Sequence, residues 1–124
     1  MGRVLLVEDE ELNRVLVRAI ISRAEPPAVR NADLLEAGSL AAARDTLAAE
    51  AVDLILLDVN LPDGNGLELA AELTEVPARP TVIALTASVL PHERAAAMAA
   101  GCDAFLDKPY AAADLVTMIA SHLS

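Results

Sequence analysis

Five short apolar runs, each followed by a stretch of helical periodicity, predict an α/β protein built on a parallel sheet. Strand–helix–strand crossovers of this kind are right-handed and lay helices on both faces of the sheet. A third run, Leu54-Ile55-Leu56-Leu57, is apolar on both sides of the chain, as a central parallel strand must be. The 124 residues suffice for one domain, spanning 1–124.

Val4–Val7 is the first strand, and Leu12, Val15, Leu16, Ala19 and Ile20 recur at i, i+3, i+4, i+7 and i+8 as one face of the first helix. Pro26-Pro27 and Asn31 break the chain, and Ala32–Ala37 reads as a shorter second strand. Gly38-Ser39 offers an N-cap to a helix whose stripe is Leu40, Ala43, Leu47 and Ala48. Val52 to Leu57 is the third strand; Pro62-Asp63-Gly64-Asn65-Gly66 is a loop, and Leu67, Ala70, Ala71 and Thr74 carry the next helix. Pro77 and Pro80 bracket a turn before the fourth strand, Thr81–Leu85. Pro91 starts the next helix and Gly101 ends it. Asp103–Leu106 is the fifth strand, and Leu115, Met118, Ile119 and Leu123 stripe the last helix. Five strands favour the flavodoxin-like (βα)5 doubly wound sandwich, order 2-1-3-4-5, over a dinucleotide-binding sheet or a barrel.

Composition narrows the function. Aromatics are 2% of the chain, Phe105 and Tyr110, so the core is built from Ala, Leu, Val and Ile. The net charge of -10 repels phosphate backbones, which argues against direct nucleic-acid binding. The chain lacks a run of about 18 uncharged apolar residues, and Met1-Gly2-Arg3 leads straight into the first strand, so neither a membrane span nor a secretory leader is expected. A lone cysteine, Cys102, fits a reducing cytoplasm and is expected to be a buried small residue. His92 and His122 lack metal-ligand spacing, and Tyr110 is expected to pack at the start of the last helix.

In such sheets the ligand site lies beyond the carboxyl ends of the strands. Glu8 and Asp9 follow the first strand, Asp58 the third, Thr86 with Ala87 the fourth, and Lys108 the fifth. Singly, each has a plain structural explanation: acids at a helix start complement the macrodipole, and Asp58 can cap a loop. Together they bring three carboxylates, a hydroxyl and an ammonium to one rim. Two carboxylates about 5 Å apart repel by about 3 kcal/mol at an effective dielectric of 20. Lys108 offsets one negative charge, and a hard divalent cation such as Mg²⁺ suits the remainder. The pattern predicts a metal site beside a carboxylate nucleophile.

These motifs resemble the receiver domain of two-component response regulators over essentially the whole chain. The resemblance is carried by Val4-Leu5-Leu6-Val7-Glu8-Asp9, by Asp53 through Pro62 with Gly66-Leu67-Glu68-Leu69, by Ala84-Leu85-Thr86-Ala87, and by Ala100 through Tyr110. It implies that Asp58 is the phosphoacceptor, served by a histidine kinase or a histidine phosphotransfer protein. It implies that Glu8, Asp9, Asp58 and the main-chain carbonyl of Asn60 hold Mg²⁺. Thr86 and Lys108 would contact the phosphoryl oxygens, with Asn60 and Ser88 tuning phosphoryl loss. Phe105 would be the aromatic switch residue, and the Lys108-Pro109 peptide would be cis. Glu8 stands for a commoner Asp, Phe105 lacks the hydroxyl of the usual Tyr, Gly64-Asn65 replaces a frequent Met-Asp, and Ala24–Asp33 is longer than typical.

Phosphorylation would draw Thr86 and Lys108 inward and let Phe105 repack behind Thr86. The helix from Pro91 to Gly101 carries only Met98 as a large apolar residue, so it is cheap to shift. That helix, the fifth strand and the last helix form the expected output face, acting on a partner or an attached domain. Such a protein catalyses only its own phosphorylation and dephosphorylation. A haloacid-dehalogenase-like phosphatase would need Asp where Asn60 stands, and an FMN carrier would need Ser, Thr and Gly where Glu8-Asp9-Glu10-Glu11 stands. The alternative is a pseudo-receiver scaffold that is never phosphorylated.

Overall fold

The computed structural model describes residues 2–76, 79–86 and 91–123; Pro77, Ala87 and Ser88 lie outside them. In chain order the elements are β1 (Arg3–Val7), α1 (Glu11–Ser22), α2 (Pro27–Arg30), β2 (Asp33–Ala37), α3 (Leu40–Ala49) and β3 (Leu54–Asp58). Next come β4 (Asn60–Leu61), β5 (Gly64–Asn65), α4 (Leu67–Leu73), β6 (Thr81–Thr86), α5 (Pro91–Ala99), β7 (Ala104–Asp107) and α6 (Ala112–Leu123). The main sheet is parallel in the order β2-β1-β3-β6-β7, the expected flavodoxin-like order.

Strand side chains alternate between faces, and the core divides accordingly. Leu5, Val7, Ile55, Leu57, Val82 and Ala84 pack against α3, α4 and α5. Val4, Leu6, Leu54, Leu56, Ile83 and Leu85 pack against α1, α2 and α6. Every residue of β3 is buried, as its unbroken apolar run requires.

Caps sharpen the helix ends. Ser39 Oγ accepts the Ala42 amide at 3.1 Å, and both Asp63 carboxylate oxygens accept amides of Leu40 and Ala41 at 2.8 and 3.0 Å. After α5, Gly101 at φ +108° lets its amide reach the Met98 carbonyl while Cys102 donates to Ala97, so the orphan carbonyls are satisfied. A Cβ at Gly101 would stand 2.5 Å from Thr74 Cγ2.

Several expectations change. The loop at Pro62–Gly66 is framed by the two-stranded β4–β5 pairing, and the break after Pro26 holds the short α2. In α4 the buried residues are Leu69, Ala70 and Leu73, while Ala71 and Thr74 are exposed. Ala48 of α3 is exposed as well. The apolar face of α1 lies largely outward. Leu12, Val15 and Leu16 are 68%, 43% and 52% exposed, and Val17 and Ile21 are the buried positions. Two apolar stripes compete on this helix, and polar contacts choose between them. Arg14 Nη1 donates to the Glu8 carbonyl at 2.7 Å and its Nε lies 3.7 Å from Glu36, which turns the Arg14–Val17–Ile21 face to the sheet.

Ile21→Ala should therefore lower the unfolding free energy by about 2–5 kcal/mol, whereas Leu16→Ala should change it by less than about 0.5 kcal/mol in urea titrations. Equal losses would contradict this rotation of α1.

Candidate phosphoryl and metal site

The carboxyl ends of β1, β3, β6 and β7 meet at one rim. Glu8 and Asp9 follow β1 directly, Asp58 ends β3, Thr86 ends β6, and Lys108 follows β7. Glu8 and Asp58 are only 2% and 5% exposed, which is unusual for carboxylates and requires partners. Lys108 Nζ supplies them, at 3.2 Å from Glu8 Oε2 and 3.4 Å from Asp58 Oδ2. The Glu10 amide donates to Glu8 Oε1 at 3.2 Å, and the Asn60 amide donates to Asp58 Oδ1 at 3.1 Å.

The backbone sets these positions closely. Gly66 donates to the Val59 carbonyl at 2.7 Å, and a Cβ there would lie 2.3 Å from the Asp58 carbonyl oxygen. Only glycine lets the turn close against the end of β3. The Lys108 amide donates to the Thr86 carbonyl at 2.7 Å, and the Lys108-Pro109 peptide is cis as expected.

Electrostatics separate the two buried acids. Burial pushes the Asp58 carboxyl up to about 6, and the neighbouring Glu8 adds to the rise against the opposing pull of the Asn60 amide and Lys108. Burial also acts on Glu8, but there the Glu10 amide and Lys108 outweigh it and hold the carboxyl below its usual value. Lys108 is held above its usual value because Asp58 and Glu8 outweigh its own desolvation. One oxygen each from Glu8, Asp9 and Asp58 lies within 4.8 Å of the others. An all-oxygen, carboxylate-rich donor set of this span, carrying more negative charge than Lys108 offsets, fits a hard divalent cation.

All five predicted rim residues gather here, with Asn60 beside Asp58. Phe105, half-buried on β7, packs with the core between the sheet and α3–α5. Cys102 is buried, and burial lifts its thiol to about 11. Sequence reasoning missed Arg14, which braces the Glu8 main chain, and Arg94, whose guanidinium carbon stands 4.9 Å from the Phe105 ring centroid. The basic residue at position 14, three before a buried Val17, is the only trace of the first in the sequence. The second depends on a contact between α5 and β7 that no local pattern encodes.

Because Asp58 titrates above its ordinary 3.8, its ionisation opposes folding. Its contribution to stability is complete below about pH 4 and is lost as pH rises through about 6. Without divalent ions, Asp58→Asn should raise unfolding free energy near pH 7.5 by on the order of 2–3 kcal/mol and flatten that loss. Thermal melts across pH check this, and an unchanged or lower stability of the variant would contradict the electrostatic account.

Comparison with known proteins agrees with this geometry. Residues 4–120 match the response regulator receiver domain family. The chain is 36% identical over 120 residues to the two-component response regulator ORR41 of Oryza sativa subsp. japonica, covering 97% of this chain and 93% of that protein. It is 37% identical over 115 residues to the KDP operon transcriptional regulatory protein KdpE of Escherichia coli, covering 93% of this chain but 48% of that protein. In structure it is similar to a two-component response regulator from Clostridium difficile, with a TM-score of 0.88 at 19% identity over 99% of this chain and 96% of the other. No helix among the described residues is long and apolar enough to cross a membrane. The chain belongs to the response regulator receiver domain family of two-component signalling.

Proposed function

We propose that residues 1–124 form a phosphorylation-dependent switch whose acceptor is Asp58, charged by a phosphohistidine on a kinase or phosphotransfer protein. The single observation that carries this reading is the pairing of buried Asp58 with Lys108 at 3.4 Å inside a cluster of three carboxylates. In the reaction an Asp58 carboxylate oxygen attacks phosphorus, the phosphorus–nitrogen bond breaks, and the electron pair leaves with the imidazole. Phosphoryl transfer asks the protein mainly to position groups and neutralise charge. The Lys108 ammonium stabilises the phosphoryl oxygens, and the Thr86 hydroxyl donates a hydrogen bond to one of them. Glu8, Asp9, Asp58 and the Asn60 main-chain carbonyl would hold Mg²⁺. When bound, that ion supplies the further positive charge that the transferring oxygens need. The protein acts on its own acceptor and is no general phosphatase.

The exposed apolar strip Leu12–Val15–Leu16 supports a docking role for α1 in delivering the phosphodonor. A cavity of about 510 Å³ lined by Asn13, Leu16, Ile20, Lys108, Pro109 and Tyr110 runs from this strip to the site's lysine. The output side is α5, β7 and α6. Only Ala97 of α5 is buried, so moving that helix forfeits little apolar contact. A phosphohistidine donor and the reduced, lone Cys102 both suit the cytoplasm.

Incubation with acetyl phosphate and Mg²⁺ should add one phosphoryl group by mass spectrometry, and EDTA or Asp58→Asn should abolish it. Thr86→Ala and Lys108→Ala should each slow the reaction by about tenfold or more. Phe105→Ala should still be phosphorylated. Labelling that persists in Asp58→Asn would overturn the assignment of the acceptor.

A further inference from the structure

Arg94 and Asp107 take no part in phosphoryl chemistry, yet they flank the site. Arg94 on α5 stacks over Phe105, at 4.9 Å from guanidinium carbon to ring centroid, and pairs through Nη2 with Asp107 Oδ2. Phe105 and Asp107 are two apart on β7 and so share a face of the strand. One guanidinium thereby covers both. On β6 their register partners are Ala84 and Thr86. The residue after Asp107 is Lys108, whose amide donates to the Thr86 carbonyl.

A cavity of about 240 Å³ is bounded by Thr86, Phe105, Arg94, Val59, Asn60 and Ala97. That exceeds the ~150 Å³ that admits a benzene ring. The Phe105 ring stands at the wall of this space, beneath Arg94. The contact that keeps it there is incomplete, because Arg94 Nε and Asp107 Oδ1 are buried without a hydrogen-bond partner among the described residues. Arginine and carboxylate here forgo the two-bond fork they are able to make. Such a contact is strong enough to bias a position and weak enough to release.

We propose that Arg94 is a positioning residue of the switch: it holds the Phe105 ring at the cavity wall and ties α5 to β7 through Asp107 until Asp58 is charged. This rests on the reading of Asp58 as phosphoacceptor. When Thr86 and Lys108 are drawn to the phosphoryl group, the ring enters the cavity and Arg94 loses its aromatic face. Asp107, between Phe105 and Lys108, moves with them. Arg94 thus favours the resting form, and its loss shifts the population toward the charged form.

Fluoroberyllate with Mg²⁺ serves as the phosphoryl probe. Arg94→Ala should bind it about three- to tenfold more tightly than the parent, and Asp107→Asn should move affinity in the same direction. In a Phe105→Ala background, Arg94→Ala should change affinity by less than about twofold. Unchanged or weaker binding by Arg94→Ala, or an equal gain without Phe105, would overturn the proposal. Amide exchange of α5 in the ligand-free protein should accelerate by about fivefold or more in Arg94→Ala and Asp107→Asn. Unaltered exchange would also overturn it. A parent protein that fails to bind fluoroberyllate would sink the phosphoacceptor reading instead, while exchange would still decide whether Arg94 restrains α5.

Discussion

The ammonium of Lys108 between two buried carboxylates is the contact on which the rest of the molecule depends. Glu8 follows β1 and Asp58 ends β3, and the ammonium joins the Glu10 and Asn60 amides in offsetting their burial. Each structural device nearby keeps these three groups at their separations. The parallel register sets the ends of β1 and β3 side by side, Gly66 lets the following turn close on the end of β3, and Arg14 braces the Glu8 main chain. The pairing is also deliberately short of neutral. One ammonium stands beside three acids, and burial, with a smaller push from Glu8, holds the Asp58 carboxyl near 6 against the pull of the Asn60 amide and Lys108.

Burial and charge explain why Glu8 and Asp58 behave differently although they share the same lysine. Asp58 is the more penalised of the two, and its lowest-cost relief is extra positive charge at the rim. Glu8 has its own amide donor and stays ionised. On the proposed reading the cluster would take a cation first, and an anionic phosphoryl group would fit once positive charge accompanies it. Stability sacrificed at the rim is recovered in the sheet, where β3 is buried end to end.

The sequence made the strands and the rim legible because both are written in local patterns. A short unbroken apolar run bounded by turn residues suits a buried parallel strand, and chemistry-bearing residues directly after such strands share the carboxyl edge. Helix orientation was harder to read. On α1 the stripe from Leu12 to Ile20 is richer in apolar residues than the stripe that is buried, so periodicity pointed outward. Arg14 reaches back to the Glu8 carbonyl and across to Glu36 on β2, contacts that a helical period does not register. α4 is a helix as its periodicity indicates, and its buried positions are Leu69, Ala70 and Leu73. The placement of Arg94 over Phe105 lies beyond any window of neighbouring residues.

Strand alternation also partitions the molecule in a way that matters for traffic across it. Phe105 belongs to the layer shared with α3, α4 and α5, whereas α1 and α6 cover the opposite side of the sheet. The helix proposed to receive the donor and α5 therefore lie on opposite faces of the sheet, while α6, the remaining helix of the proposed output side, packs beside α1. On the proposed reading, α6 is the one element where the ground offered to an upstream body would border that offered to a downstream one.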